Sequence, residues 1–239
     1  MEREENSRRD FLKRAAVGGG AAAAAVTPLA GIAQGAGTAA NTPAAEAPPG
    51  YVFLMPSEAA FIEAAVDHMF PADARTPGGV DIGINIFIDR ALAGSWGKGD
   101  RLYMEGPWQI GAPSQGYQLP LTPAQLFRQG IASTNTACQK KYGKPFDGLP
   151  AAQKEEVLQE LSTGKLVFDN GLPSRTFFDG LYQCVVQGIF ADPIYGGNRN
   201  KAGWKLIGFP GVVATHATNI VQYKNKPFPV TYVGIADMA

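Results

Sequence analysis

Ser174-Arg-Thr-Phe-Phe-Asp-Gly-Leu-Tyr-Gln-Cys-Val-Val-Gln-Gly-Ile189 carries Phe177, Phe178, Leu181, Tyr182, Val185 and Ile189 at spacings of one, three and four. Residues three and four apart share one side of a 3.6-residue turn, so the run predicts a helix with a broad apolar face, wide enough to be the central helix of a domain. It leads straight into an Asp192-Pro193 turn and a stretch of another kind. Five glycines fall between Tyr195 and Gly211, and Pro193 and Pro210 bracket them. Backbone entropy, a missing donor and fixed dihedrals disfavour long regular structure there. A shaped loop is expected, with Tyr195, Trp204 and Phe209 packed either on the chain's own core or on a partner.

Working back from that helix, four more segments read as helical. Phe61, Ile62, Ala65, Val66 and Met69 form a stripe after a Ser57 N-cap, ended by Pro71. Ile84, Phe87, Ile88, Ala91 and Leu92 mark a helix over 82–93 with Gly94 as its C-cap. Thr122-Pro123 is a cap and first turn for a helix reaching Lys141 through Leu126, Phe127, Gly130, Ile131, Thr134 and Cys138. Pro150 opens another, with Val157, Leu158 and Leu161 as its narrow stripe. Val212 to Ile220 suggests a further helix, and Phe228 to Val233 an extended tail. Five or six helices without strand alternation predict an all-α single domain. Between them, residues 95–121 hold Trp96, Tyr103, Trp108 and Tyr117 without a period and read as a long ordered loop.

The first residues are different. Ser7-Arg8-Arg9-Asp-Phe11-Leu12-Lys13 matches the twin-arginine export pattern, and an Ala/Gly tract to about Ala33 follows it. The tract is poor in leucine and broken by Gly18 to Gly20 and Pro28, which suits a cleaved signal better than a retained anchor. Cleavage fits after Ala33 or Ala40. The chain therefore divides into a signal over 1–40, a linker over 41–56, a helical domain over 57–211 and a C-terminal helix and tail over 212–239. The translocase of that route is an expected partner and the periplasm the expected location.

Composition narrows the function. The 239 residues carry 21 basic and 21 acidic side chains, which excludes a nucleic-acid binder in the absence of a basic cluster beyond the N-terminus. Charged residues are 18%, below the roughly 25% of ordinary soluble domains. The two histidines, His68 and His216, have no acid at a telling spacing, and Asp67, Asp73, Asp89 and Asp179 form no catalytic pair. No haem, dinucleotide or zinc motif is present, so no cofactor or metal is expected in this chain. Cys138 and Cys184 leave three readings: a mutual disulfide closing about 45 residues, worth about 3 to 4 kcal/mol, two buried thiols, or a bond to a partner.

The run Pro193-Ile-Tyr-Gly-Gly-Asn-Arg-Asn-Lys-Ala-Gly-Trp-Lys-Leu-Ile-Gly-Phe-Pro-Gly211 resembles the C-terminal hallmark of the gluconate 2-dehydrogenase subunit 3 family. Phe70-Pro-Ala-Asp73, Thr76-Pro-Gly-Gly79, Phe87-Ile-Asp89 and Leu92-Ala-Gly94 are similar to its N-terminal segment. The resemblance implies a non-catalytic small subunit of a flavoprotein dehydrogenase complex at the inner membrane. It also implies FAD in a large partner subunit, haem c in a cytochrome c subunit, and a sugar or sugar acid as the complex's substrate. The partner-binding candidates are Asp192, Pro193, Tyr195, Gly196, Gly197, Asn198 and Arg199, with Gly203, Trp204, Gly208, Phe209, Pro210 and Gly211; Tyr, Trp and Arg commonly anchor interfaces. Two rival readings remain: a periplasmic sugar-binding protein that stacks sugar on the 95–121 loop, and an independent enzyme with a dispersed site.

Overall fold

The computed structural model describes residues 50–238, apart from 101, 110, 113, 114, 116 and 213–215. The export signal (Ser7, Arg8, Arg9, Phe11, Leu12, Lys13) and most of the linker lie outside the described residues. Within them the chain is all-α. Five long helices carry it: α1 (Pro56–Met69), α2 (Ile84–Ala93), α4 (Pro123–Tyr142), α5 (Ala151–Ser162) and α6 (Ser174–Phe190). Three short ones join them: α3 (Ser95–Lys98), α7 (Ala202–Ile207) and α8 (Ala217–Gln222). Among the described residues the one β pairing is an isolated parallel bridge between Gly211 and Val233.

α6 holds the centre. Its Phe177 ring meets Phe61 of α1 at 6.1 Å and Phe127 of α4 edge-on at 5.7 Å, while Phe61 lies 4.7 Å from Phe146. All four rings are fully buried, each contributing roughly 1.5–3 kcal/mol by its removal from water. The Phe177 ring fits because α4 has Gly130 beneath it, where a Cβ would come within 2.3 Å of the ring. The α5 stripe of Val157, Leu158 and Leu161 is buried as its spacing predicts.

Helix ends follow local chemistry. At α4, Thr122 Oγ1 accepts from the Gln125 N–H and Gln125 Oε1 from the Thr122 N–H, so two donors are satisfied reciprocally. α1 departs from expectation. It starts before Ser57, with Pro56 in the first turn, and the Glu58 carboxylate rather than a serine hydroxyl accepts the Met55 N–H at 2.9 Å. α2 starts at Ile84, since Gly83 in the left-handed region closes a turn just before it.

Residues 51–55, assigned from sequence to the linker, lie against the fold. Asp89, in the apolar middle of α2 and 1% exposed, accepts the N–H groups of Val52, Phe53 and Leu54 at 2.8–2.9 Å. One carboxylate thus satisfies three backbone donors that no ladder serves, and Leu54 is buried beside it.

Candidate partner-binding face

The last turn of α6 receives the glycine loop directly on its backbone. A Cβ at Gly197 would stand 2.4 Å from the Gly188 carbonyl oxygen, and one at Gly203 2.0 Å from that of Ile189. Both glycines exist because two backbones touch there. Asn198, completely buried at φ 49°, fastens the crossing: its Nδ2 donates to the Ala191 carbonyl and its Oδ1 accepts from the Gly203 N–H, each at 2.8 Å. Asn200 and Lys201 follow at φ 55° and 57°. Three non-glycine residues in the left-handed region within four positions cost energy that the surrounding bonds must hold in place.

The loop is not wholly irregular, as the sequence had suggested. Once Lys201 has turned the chain, Ala202–Ile207 forms α7, a helix too short to announce itself by periodicity. α7 points Trp204 inward, 3% exposed, where its Nε1–H donates to the Phe190 carbonyl at 2.8 Å. The Arg199 N–H donates to the Ile82 carbonyl at 2.8 Å, stitching the loop to the start of α2.

The thirteen candidate residues therefore separate by depth. Gly197, Asn198, Gly203 and Trp204 are buried and serve the chain's own packing. Asp192, Pro193, Gly196, Arg199, Pro210 and Gly211 are half-buried. Tyr195, Gly208 and Phe209 are exposed. Tyr195 is 56% and Phe209 45% exposed, although Phe209 also meets Trp204 edge-on at 5.5 Å.

Other apolar residues, not among those candidates, are exposed as well. Ile194, Leu206 and Ile207 are exposed in and beside the loop. On α6, Tyr182, Val186 and Phe190 are exposed at intervals of four, and Phe178, half-buried, stacks on Tyr182 with ring centroids 6.1 Å apart. The apolar face of α6 is wider than its core needs. Phe177, Leu181, Cys184, Val185 and Ile189 fill the domain interior, while the neighbouring stripe stays open. Its signal was present in sequence as a second i, i+4 apolar series beside the first.

Other candidates resolve into structural partnerships. Cys138 and Cys184 are buried free thiols, and burial pushes their pKa values up to about 11 and about 12 respectively, which keeps both protonated and unreactive. His68 Nε2 lies 2.8 Å from Glu155, whose carboxyl is held below its usual range by that contact. Asp67 accepts the Val80 N–H, Asp73 caps its own turn through the Arg75 and Thr76 N–H groups, and Asp179 faces Arg175. Among the described residues no group of His, Cys, Asp and Glu could hold a metal ion, and no helix is long and apolar enough to cross a membrane. Within 95–121, Trp96 and Tyr117 line, with Asp179 and Gln183, a cleft of about 420 Å³.

The central helix and the loop that follows it thus leave several aromatic and aliphatic side chains exposed, the kind of group found where other molecules pack. Residues 56–211 match the family described as gluconate 2-dehydrogenase subunit 3, and the chain belongs to that family, the small subunit of a dehydrogenase complex. The comparisons with curated proteins and with solved structures each give no match.

Proposed function

We infer that this chain is the non-catalytic small subunit of a periplasmic, inner-membrane-associated, FAD-dependent dehydrogenase of sugars or sugar acids. In this reading it stabilises the flavin-bearing large subunit and carries it through twin-arginine export, guided by Ser7 to Lys13. A cytochrome c subunit in the same complex takes the electrons onward. The observation that carries the reading is the set of exposed apolar side chains on two consecutive stretches of chain: Tyr182, Val186 and Phe190 of α6, and Tyr195, Ile207 and Phe209 of the family's signature loop. Apolar side chains rich in aromatics, set around a close-packed loop, suit the centre of a stable interface. The loop's buried glycines and Asn198 would hold that face in shape rather than touch the partner.

The test is coexpression of the large subunit with and without this chain. Flavin content, measured by absorbance, and export, measured by fractionation, should both depend on the small subunit. A fully flavinated, exported large subunit made alone would overturn the reading.

The cleft between Trp96, Tyr117, Asp179 and Gln183 is the one observation that favours a sugar-binding protein, since aromatic walls and a carboxylate suit a pyranose. Calorimetry of the isolated chain against aldoses and aldonic acids separates the two. The subunit reading expects no binding heat.

A further inference from the structure

The family match ends at Gly211, and Val212 and residues 232–237 bond back to the loop that precedes them. The Val212 N–H donates to the Val233 carbonyl at 2.8 Å, and the Val233 N–H donates to the Pro210 carbonyl at 2.9 Å. Lys201 Nζ donates to the Tyr232 carbonyl at 2.9 Å and also meets the Asp237 carboxylate. Asp192 Oδ2 accepts the Ile235 N–H at 2.8 Å. Both ends of the returning segment are therefore tied to the signature loop, close to Phe209 and Pro210.

Between the ties, residues 216–230 make an excursion with a small ring cluster of its own. Tyr223 and Phe228 meet edge-on at 5.2 Å, and His216 and Phe228 at 5.9 Å. α8 rides on this cluster and turns Ile220 and Val221 outward, 70% and 80% exposed. These are the wrong residues for a solvated turn. Charge in the same stretch has one sign: residues 202–236 contain Lys205, Lys224 and Lys226 but no Asp or Glu. None of these lysines is ion-paired among the described residues.

We propose that residues 216–230 are a docking arm, with Ile220 and Val221 at its tip, that seats in an apolar, carboxylate-rimmed pocket of the dehydrogenase subunit covering the adjoining Ile207 and Phe209 face. The proposal rests on the accessory-subunit reading above. The ties at Val212 and at Tyr232 to Ile235 fix where the chain leaves and rejoins the signature loop, and the Tyr223, Phe228 and His216 rings give the arm a cluster of its own, which lowers the ordering cost of association. Both tip side chains are β-branched and stiff at χ1, so little rotamer freedom is lost on docking. The lysines steer the arm and match acidic groups at the pocket rim. The arm's exposed large apolar side chains are Ile220, Val221, Phe228 and Val230; none is a long chain that could reach deep into a bilayer, where even a single myristoyl chain binds only marginally.

The experiment uses the full-length chain, tagged and expressed in its source cells, with a photo-crosslinking benzoylphenylalanine at position 221 and, as control, at Lys154 on α5. The expected result is an adduct from position 221 alone, to a copurifying subunit that shows a flavin absorption spectrum. The double substitution Ile220→Asp, Val221→Asp should lower recovery of that subunit about tenfold or more, while the thermal melt of the purified variant stays that of the parent. If the flavin-bearing subunit copurifies but neither crosslinks at 221 nor depends on the substitutions, the arm is overturned and the accessory-subunit reading stands. Recovery of no flavin-bearing subunit overturns both. Binding to phosphatidylglycerol vesicles that the double substitution abolishes, without any subunit adduct, makes the arm a lipid contact and overturns the proposal.

Discussion

Replacing Asn198 by alanine separates the loop's structural residues from its contact residues. The substitution removes the side chain that bonds both the Ala191 carbonyl and the Gly203 N–H, leaving a buried donor and a part-buried acceptor without that partner. Leaving each unpaired costs roughly 1–3 kcal/mol. The backbone at 198 sits at φ 49°, which asparagine tolerates, and holding alanine there adds about 1 kcal/mol. The sum is about 3–7 kcal/mol, a large part of the stability of an ordinary domain. Even the low end, about 3 kcal/mol, lowers the melting temperature by roughly 6–12 °C for a domain of this size. Circular dichroism melts of the purified chain measure it. The companion variant Tyr195→Ser removes an exposed ring that bonds nothing inside, and should melt within about 2 °C of the parent while weakening copurification of the partner subunit. If Asn198→Ala melts like the parent and instead loses the partner, Asn198 is a contact residue and the reasoning about the loop is wrong.

Three further outcomes follow from the same contacts. Neither Cys138 nor Cys184 should react with Ellman's reagent in the native chain at pH 8, and both should titrate in urea without reductant; fewer than two thiols there would establish a disulfide. Asp89→Asn puts an amide donor among three backbone N–H groups, so stability should fall by roughly 1–3 kcal/mol and proteolysis near Tyr51 to Phe53 should quicken. An unchanged digestion pattern would mean that the segment is held by Leu54 and its neighbours alone. The Lys201 ammonium and the Gly234 N–H hold the Asp237 carboxyl below its ordinary value of 3.8. A lowered carboxyl stabilises the folded form above its unfolded value and loses that contribution as pH falls through the folded one. The Asp237 contacts should therefore persist to about pH 4 and be lost below it, read as faster hydrogen exchange at the Gly234 amide.

Sequence alone determined the helical architecture, because an i, i+4 pattern is local and each helix writes its own. The stripes of α1, α5 and α6, the Thr122 cap and the family itself were all legible without a structure. Asp89 was not. A lone acid in an apolar helix signals that something must satisfy it, but its partners lie 35 to 37 residues earlier in the chain. The glycine loop was legible as a loop and not as a set of roles. Whether Gly203 approaches a backbone or a partner depends on where α6 ends in space, and Trp204 and Phe209 look alike in sequence although one is sealed and the other open. The open stripe of Phe178, Tyr182, Val186 and Phe190 is the clearest case. Its apolar character is written in the residues, but its exposure is a property of what the other helices fail to cover, and coverage exists only once the chain has folded.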